Sequence, residues 1–73
     1  MPVVDVKADI SGTVWKIETG IGDAVSEDDP IMILESMKME IPVLAPVDGK
    51  LKEILVSEGD NVSEDDVVAR LEA

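Results

Sequence analysis

The chain contains two copies of one pattern, and this internal repeat limits the folds that it can form more than any other feature. Residues 6–36 align with residues 43–73 at an offset of 37, and 13 of the 31 aligned pairs are identical. The longest matching block joins GDAVSEDD at 22–29 to GDNVSEDD at 59–66. A solenoid needs roughly three or more repeats to bury a continuous core. The repeat therefore predicts a single closed domain over residues 1–73, built from two halves, 6–36 and 43–73, that are related by a pseudo-twofold axis.

Each copy consists of short segments rich in Val and Ile, and Gly and Asp punctuate them about every ten residues, which is typical of an all-β sandwich or barrel. Gly22 and Gly59, each followed by Asp, predict turns with a positive φ angle. Ser26 and Ser63 are each expected to cap the single turn that follows. The predicted strands cover residues 3–7, 13–18, 24–25, 31–35, 39–44, 50–56, 61–62 and 67–72.

The residue types present exclude most catalytic chemistry. There is no Cys and no His, so disulfides, thiolate nucleophiles, Cys/His metal sites and imidazole acid–base catalysis are excluded. The repeated SEDD runs lack the alternating carboxylates of a calcium-binding EF-hand loop, and we expect them to form solvated turns and no metal site. Trp15 is the single aromatic residue, so the core must be aliphatic.

The charge balance narrows the class of partner. The 17 acidic and 6 basic residues give a net charge of -11, which repels nucleic-acid phosphates and anionic membrane surfaces and favours a protein partner with a basic surface. No apolar segment approaches the roughly 20 residues that span a bilayer, and the N-terminal residues lack the pattern of a secretion signal. The expected compartment is the cytoplasm, with neither nucleic acid nor membrane as a partner.

The junction between the two copies, ESMKME at 35–40, is the most unusual segment. The residues on either side of Met37 and Lys38 match as pairs, which predicts a hairpin with a two-residue loop and Lys38 at its exposed tip. Such loops favour Asn-Gly or Asp-Gly because both central residues need a positive φ. Glu35 and Glu40 would also face each other across the hairpin, and opposed like charges are unfavourable.

The turn residues and the opposed glutamates both depart from what stability favours, in a sequence that is otherwise consistent with its fold. Such departures indicate a functional segment. An exposed lysine on a hairpin is ordinarily only solvated. However, two methionines beside the tip are typical of a surface that another protein recognises. The offset of 37 also aligns Lys38 with Met1, so we expect the chain ends to lie at the opposite pole and to leave Lys38 unobstructed.

The segment ESMKMEIPVLAPVDGKL resembles the biotinyl attachment segment of the biotin/lipoyl attachment family. The segment before the hairpin, GDAVSEDDPIMILES, resembles the Gly-Asp-x-Val segment that precedes the hairpin in that family. The resemblance therefore covers nearly the whole chain. It implies a flattened barrel of two four-stranded antiparallel sheets. The matching positions are Met37, Lys38, Met39, Ala45, Pro46 and Gly49.

The resemblance also implies a function and a set of site residues. Lys38 would carry biotin through an amide on its side-chain nitrogen, and a separate ATP-using biotin protein ligase would attach it. The biotin arm would then carry a carboxyl group between biotin carboxylase and carboxyltransferase components, with this chain a monomeric carrier and no enzyme itself. The residues expected to guide the ligase are Glu35, Ser36, Met37, Met39 and Glu40.

Several alternatives stay open at this stage. Lipoate uses the same fold and lysine, but its lysine is typically preceded by Asp and followed by Ala. An unmodified interaction module would dock a partner through the hairpin directly. The biotinyl domain of bacterial acetyl-CoA carboxylase has a protruding insertion for which residues 18–22 leave no room, and it has Ala in place of Ser36. These differences favour a carrier domain of acyl-CoA, pyruvate or urea carboxylase, or a freestanding attachment protein, which the chain length favours.

Overall fold

The computed structural model describes residues 2–73, which form strands joined by turns and loops and contain no helix. Two four-stranded antiparallel sheets pack face to face, in a molecule of 36 × 18 × 17 Å. Sheet A has the strand order β1-β8-β6-β3 and sheet B the order β5-β4-β2-β7. The predicted all-β fold is therefore confirmed. The strands are β1 (Val3–Lys7), β2 (Gly12–Ile17), β3 (Ala24–Val25), β4 (Pro30–Ser36), β5 (Met39–Leu44), β6 (Gly49–Ile54), β7 (Asn61–Val62) and β8 (Val67–Glu72).

The strand pairing has pseudo-twofold symmetry. In sheet B, β2 lies between β4 and β7, and in sheet A its counterpart β6 lies between β8 and β3. The registers agree at the same offset, since Val14 pairs with Leu34 and Leu51 pairs with Leu71. Each sheet takes two strands from each half of the chain, so neither half forms a sheet alone. The symmetry inferred from the repeat is present in the backbone.

The core is aliphatic and follows the same symmetry. The buried apolar residues of the described chain form seven pairs whose members are 37 positions apart, and no polar or charged residue is buried with them. Burying each Val, Leu or Ile contributes about 1.5–3 kcal/mol. The repeat therefore encodes the core. The pairs are Val6 and Val43, Ala8 and Ala45, Val14 and Leu51, Val25 and Val62, Ile31 and Val68, Met32 and Ala69, and Leu34 and Leu71.

The turns confirm one expectation and correct another. Gly22 and Gly59 have φ angles of 93° and 94°, as predicted. The serine hydroxyls do not cap the SEDD turns. Instead the Asp29 carboxylate accepts a hydrogen bond from the backbone N–H of Ser26 at 2.9 Å, and Asp66 and Ser63 make the same contact at 2.8 Å. The N–H groups that a Ser26 hydroxyl would cap already have backbone partners, since Asp28 donates to the Ala45 carbonyl oxygen at 2.8 Å and Asp29 to the Ser26 carbonyl oxygen at 3.0 Å, which explains the difference.

Two strands end earlier than predicted. β2 ends at Ile17 and β6 ends at Ile54, because the chain leaves its sheet at these points to cross to the other one. After β6, the backbone N–H of Gly59 donates to the Val14 carbonyl oxygen of sheet B at 2.7 Å. After β2, Gly22 makes the equivalent bond to Leu51 of sheet A at 2.7 Å. These crossings close the two sheets around the core.

Candidate functional site

The junction of the two halves is a hairpin between β4 and β5. Ser36 and Met39 form its last pair, which leaves Met37 and Lys38 as a two-residue loop. Their φ angles are 52° and 64°, so both residues adopt the left-handed conformation that a type I′ turn requires. The predicted loop is confirmed.

This turn is strained because its residues are not the ones it favours. A left-handed conformation places the Cβ of an L-residue close to its own carbonyl oxygen, at a cost of about 1–2 kcal/mol per residue. Two other residues that are not glycine share a positive φ, Asp28 and Asp65, and they are repeat equivalents in matching turns. Met37 and Lys38 have no such equivalent among residues 2–73. Asp tolerates the left-handed conformation better than Met or Lys does, so the strain is greatest at the junction.

The side chains at the tip extend into solvent. Lys38 is exposed, Met37 is 92% exposed and Met39 is 61% exposed. Within residues 2–73 the Lys38 side chain takes part in no hydrogen bond, and the ion pairs that form there all involve Arg70. The amine thus forms no hydrogen bond or ion pair with the described residues.

The predicted recognition residues all lie on this hairpin. Glu35 is paired directly with Glu40, and both are exposed. Opposed like charges in a sheet are destabilising, so this pair, like the turn, is not selected for stability. Ser36 is half-buried at the base of the loop. The structure brings these residues together beside Lys38.

Gly12 supports the hairpin, although the sequence reasoning gave it no role there. A Cβ on Gly12, the first residue of β2, would lie 2.7 Å from the Glu35 carbonyl oxygen and 3.4 Å from the Ser36 Cβ. Glycine is thus needed for β2 to approach the end of β4 closely. The signal was present in the repeat, because Gly12 aligns with Gly49, where a Cβ would meet the Glu72 carbonyl oxygen at 2.8 Å.

The residues of the family pattern that follow the MKM segment include two with a role in the fold, Ala45 and Gly49. Ala45 is only 1% exposed and belongs to the core. Its backbone N–H donates to the Asp29 carbonyl oxygen, and its own carbonyl oxygen accepts from the Asp28 N–H, each at 2.8 Å. Ala45 therefore fixes the SEDD turn of the first half, while Gly49 begins β6. Neither residue lies at the tip.

A shallow cleft of about 390 Å³ lies between β1 and the end of β5, and its lining includes Asp5, Lys7, Asp9 and Leu44. Lys38 does not line it. Within residues 2–73 no group of three acidic side chains is arranged to hold a metal ion. The same residues include no helix with the length and hydropathy that crossing a bilayer requires. The hairpin tip is therefore the strongest candidate site.

Similar proteins carry related names. A "Biotinylated protein TB7.3 homolog" of Mycolicibacterium smegmatis is 51% identical over 41 residues, which are 56% of this chain and 58% of that protein. The "Biotin/lipoyl attachment protein" of Bacillus subtilis is 42% identical over 40 residues, 55% of each chain. The chain thus spans a little over half the length of these two relatives.

Solved structures confirm the architecture. Part of the urea carboxylase of Kluyveromyces lactis superposes with a TM-score of 0.93 at 33% identity, covering 99% of this chain and 6% of that one. A single-chain, multi-domain long-chain acyl-CoA carboxylase gives a TM-score of 0.86 at 25% identity, covering 93% and 7%. The family model described as "Biotin-requiring enzyme" matches residues 2–71. The resemblance inferred from the MKM segment is therefore confirmed, and the chain belongs to the biotin/lipoyl attachment family.

Proposed function

We propose that this chain is a biotin carrier in which Lys38 is the attachment residue, with biotin joined through an amide to the side-chain nitrogen Nζ. The observation that carries the proposal is the placement of Lys38 at the tip of a strained two-residue turn, exposed and without intramolecular partners among residues 2–73. The names of the relatives support biotin as the attached group.

Attachment requires a partner enzyme, because this chain supplies only the amine. Nζ attacks the acyl carbon of a biotinyl adenylate, the C–N bond forms, the bond from the acyl carbon to the phosphate oxygen breaks, and AMP leaves. A lysine amine is almost wholly protonated at neutral pH, and the described residues place no hydrogen-bond acceptor on Nζ. A biotin protein ligase must accept the proton, so the carrier is a substrate of the ligase and does no bond-making itself.

Selection of Lys38 among the lysines follows from its position. The other lysines, Lys7, Lys16, Lys50 and Lys52, lie within β1, β2 and β6, where neighbouring strands flank them. Lys38 alone lies in a turn between two exposed methionines. Met37 and Met39 would fill apolar sites on the ligase, and Glu35, Ser36 and Glu40 would contact its polar groups. A rigid β-scaffold fixes these positions relative to each other.

The role after attachment is transport. Biotin on Nζ supplies a ring nitrogen that holds a carboxyl group, and the exposed tip lets the arm reach separate biotin carboxylase and carboxyltransferase sites. The matching structures include a urea carboxylase and an acyl-CoA carboxylase, which supports these partners. The net charge of -11 opposes self-association, which supports a monomer. Because the adenylate is made from ATP, we place the reaction in the cytoplasm.

Intact-mass measurement tests the proposal directly. Purified chain is incubated with a biotin ligase, ATP and biotin, and the attachment residue is located by peptide sequencing. Wild type and Lys50→Arg should each gain one biotin, while Lys38→Arg should gain none. Lys50 is an exposed strand lysine, so it is a matched control. Biotin on another lysine, or none on wild type, would refute the assignment.

Lipoate is the second candidate, because the Bacillus subtilis relative is named as an attachment protein for either group. The same incubation with a lipoate ligase and lipoate separates the two by mass. A gain from lipoate alone would replace biotin by lipoate while keeping Lys38 as the attachment residue.

A further inference from the structure

The outer faces of the two sheets differ although their backbones are equivalent. On sheet A, Asp5, Arg70 and Glu53 lie in one row across β1, β8 and β6. Arg70 Nε contacts Asp5 at 3.1 Å and Arg70 Nη1 contacts Glu53 at 3.1 Å. The hydrogen bond to Asp5 first, and that to Glu53 second, raise the pKa of Arg70. The charged side chains of this face thus pair with each other and remain in contact with solvent.

The equivalent row on sheet B is largely apolar. Pro42 pairs with Ile33, and the bulge in β2 places both Trp15 and Lys16 opposite Ile33. Because the adjacent Val14 is buried in the core, these two bulge residues lie on the outside. Trp15 is 48% exposed. We name these three positions of the outer face, Pro42, Ile33 and Trp15, the apolar row. In the repeat they align with Asp5, Arg70 and Lys52, respectively.

An acidic pair separates the apolar row from the hairpin tip. Glu35 and Glu40 lie two positions closer to the tip than Ile33 and Pro42, on the same outer face. Ile33 and Lys38 are five residues apart, which is roughly 16 Å at about 3.3 Å per strand residue. A standard protein interface covers about 800 Å² per partner, equivalent to a disc of about 16 Å radius. One such interface spans the tip, the acidic pair and the apolar row.

The charge of the chain decides what kind of partner covers this face. Two copies of a chain with net charge -11 would repel each other across Glu35 and Glu40. A partner with an apolar centre and basic groups facing these glutamates is complementary. The partner is therefore a different protein.

We propose that the apolar row, together with Glu35 and Glu40, is the docking surface for the enzyme that acylates Lys38, an inference that rests on the function proposed above. This enzyme must bring its acyl carbon to bonding distance of Nζ, and the lysine stem is only four carbons long. Its surface must therefore touch the body of the carrier. After attachment the arm is longer, so other enzymes can reach its end without touching the body of the carrier. Since the tip extends from β4 and β5, the adjoining surface is the outer face of sheet B.

The repeat supplies the test variants. Trp15→Lys and Ile33→Arg each introduce the type of side chain that the other half holds at the same register position, so the fold accommodates them. Val3→Lys is the matched control, because Val3 is 46% exposed and lies on the outer face of sheet A. The three variants change the net charge equally. Their folding is checked by circular dichroism at the assay temperature.

The measurement is the steady-state rate of biotinylation as a function of carrier concentration. Trp15→Lys and Ile33→Arg should each raise KM about tenfold, as expected for loss of a central apolar anchor, with kcat unchanged because the turn is intact. Val3→Lys should stay within about twofold of wild type. Wild-type KM for both sheet B variants, or an equal rise for Val3→Lys, overturns the docking surface alone. Failure of wild type to accept biotin overturns the proposed function and the docking surface with it.

Discussion

Replacing the tip by the residues that its turn favours should stabilise the protein while it removes Lys38, the proposed attachment residue. The double variant Met37→Asn/Lys38→Gly places Asn-Gly in a type I′ turn whose φ angles are 52° and 64°. Glycine takes a left-handed conformation without a Cβ clash, and Asn tolerates it better than Met does. No core contact is lost, because Met37 is 92% exposed and Lys38 is exposed.

The magnitude follows from two opposing terms. Relief of the left-handed strain is worth about 1–2 kcal/mol per residue for Gly and less for Asn. The greater conformational freedom of Gly in the unfolded chain lowers this gain in stability by about 0.4–1 kcal/mol. The net gain in the free energy of unfolding is therefore about 1–1.5 kcal/mol. For a chain of this size about 1 kcal/mol shifts Tm by roughly 4–8 °C, so the expected rise is roughly 5–10 °C.

The assay is thermal and urea unfolding followed by circular dichroism. Lys50→Gly is the matched control, because it removes the same side chain from within β6, where glycine is expected to lower stability by about 0.5–1 kcal/mol. Opposite signs at Lys38 and Lys50 would establish that the gain comes from the turn conformation. A double variant no more stable than wild type would refute the claim that the tip is strained.

Two further pairs of substitutions test the close approach at Gly12 and the hydrogen bonds of the SEDD turns. Gly12→Ala should lower the free energy of unfolding by about 1–3 kcal/mol, because the added methyl group would lie 2.7 Å from the Glu35 carbonyl oxygen; Gly20→Ala, whose nearest neighbour would be 3.8 Å away, should change it by less than about 0.5 kcal/mol in the same urea titration. Asp29→Ala and Asp66→Ala should each cost about 1 kcal/mol, since each carboxylate accepts one turn N–H at 2.9 and 2.8 Å. Losses that differ by more than about 1 kcal/mol would argue against equivalent turns.

The features that the sequence predicts well are those encoded in both copies of the repeat and those fixed by matched residues on either side of a turn. The two-half architecture, the locations of the eight strands and the Gly22 and Gly59 turns were all predicted, the first and last of these directly from the repeat. The hairpin loop at Met37 and Lys38 follows from the matched residues around it, because a two-residue loop fixes the register of both strands. In these places local pattern and global fold agree, and little else is needed.

The features that were missed depend on contacts between distant strands. The bulge in β2 puts Trp15 and Lys16 on the same outer face between Val14 and Ile17, which both contact the core, and nothing local predicts that two consecutive residues share a face. The ends of β2 and β6 depend on where each chain segment crosses to the opposite sheet. The close approach of Gly12 to Glu35 involves a strand more than twenty residues away. Such contacts are decided by the tertiary arrangement.

The symmetry itself explains why this fold offers one tip per molecule. The twofold arrangement creates two equivalent places, and at one of them Ser36 and Met39 are joined through Met37 and Lys38. At the other place the equivalents are Ala73 and Pro2, where the Ala73 N–H donates to the Pro2 carbonyl oxygen at 3.0 Å. The next position, Met1, lies outside the described residues. Within residues 2–73, the first place has a continuous two-residue loop in a left-handed turn, and the second place has no counterpart of it. The junction of the two copies is therefore distinct from every paired position of the repeat, so its residues can depart from what stability favours while the paired core residues maintain the fold.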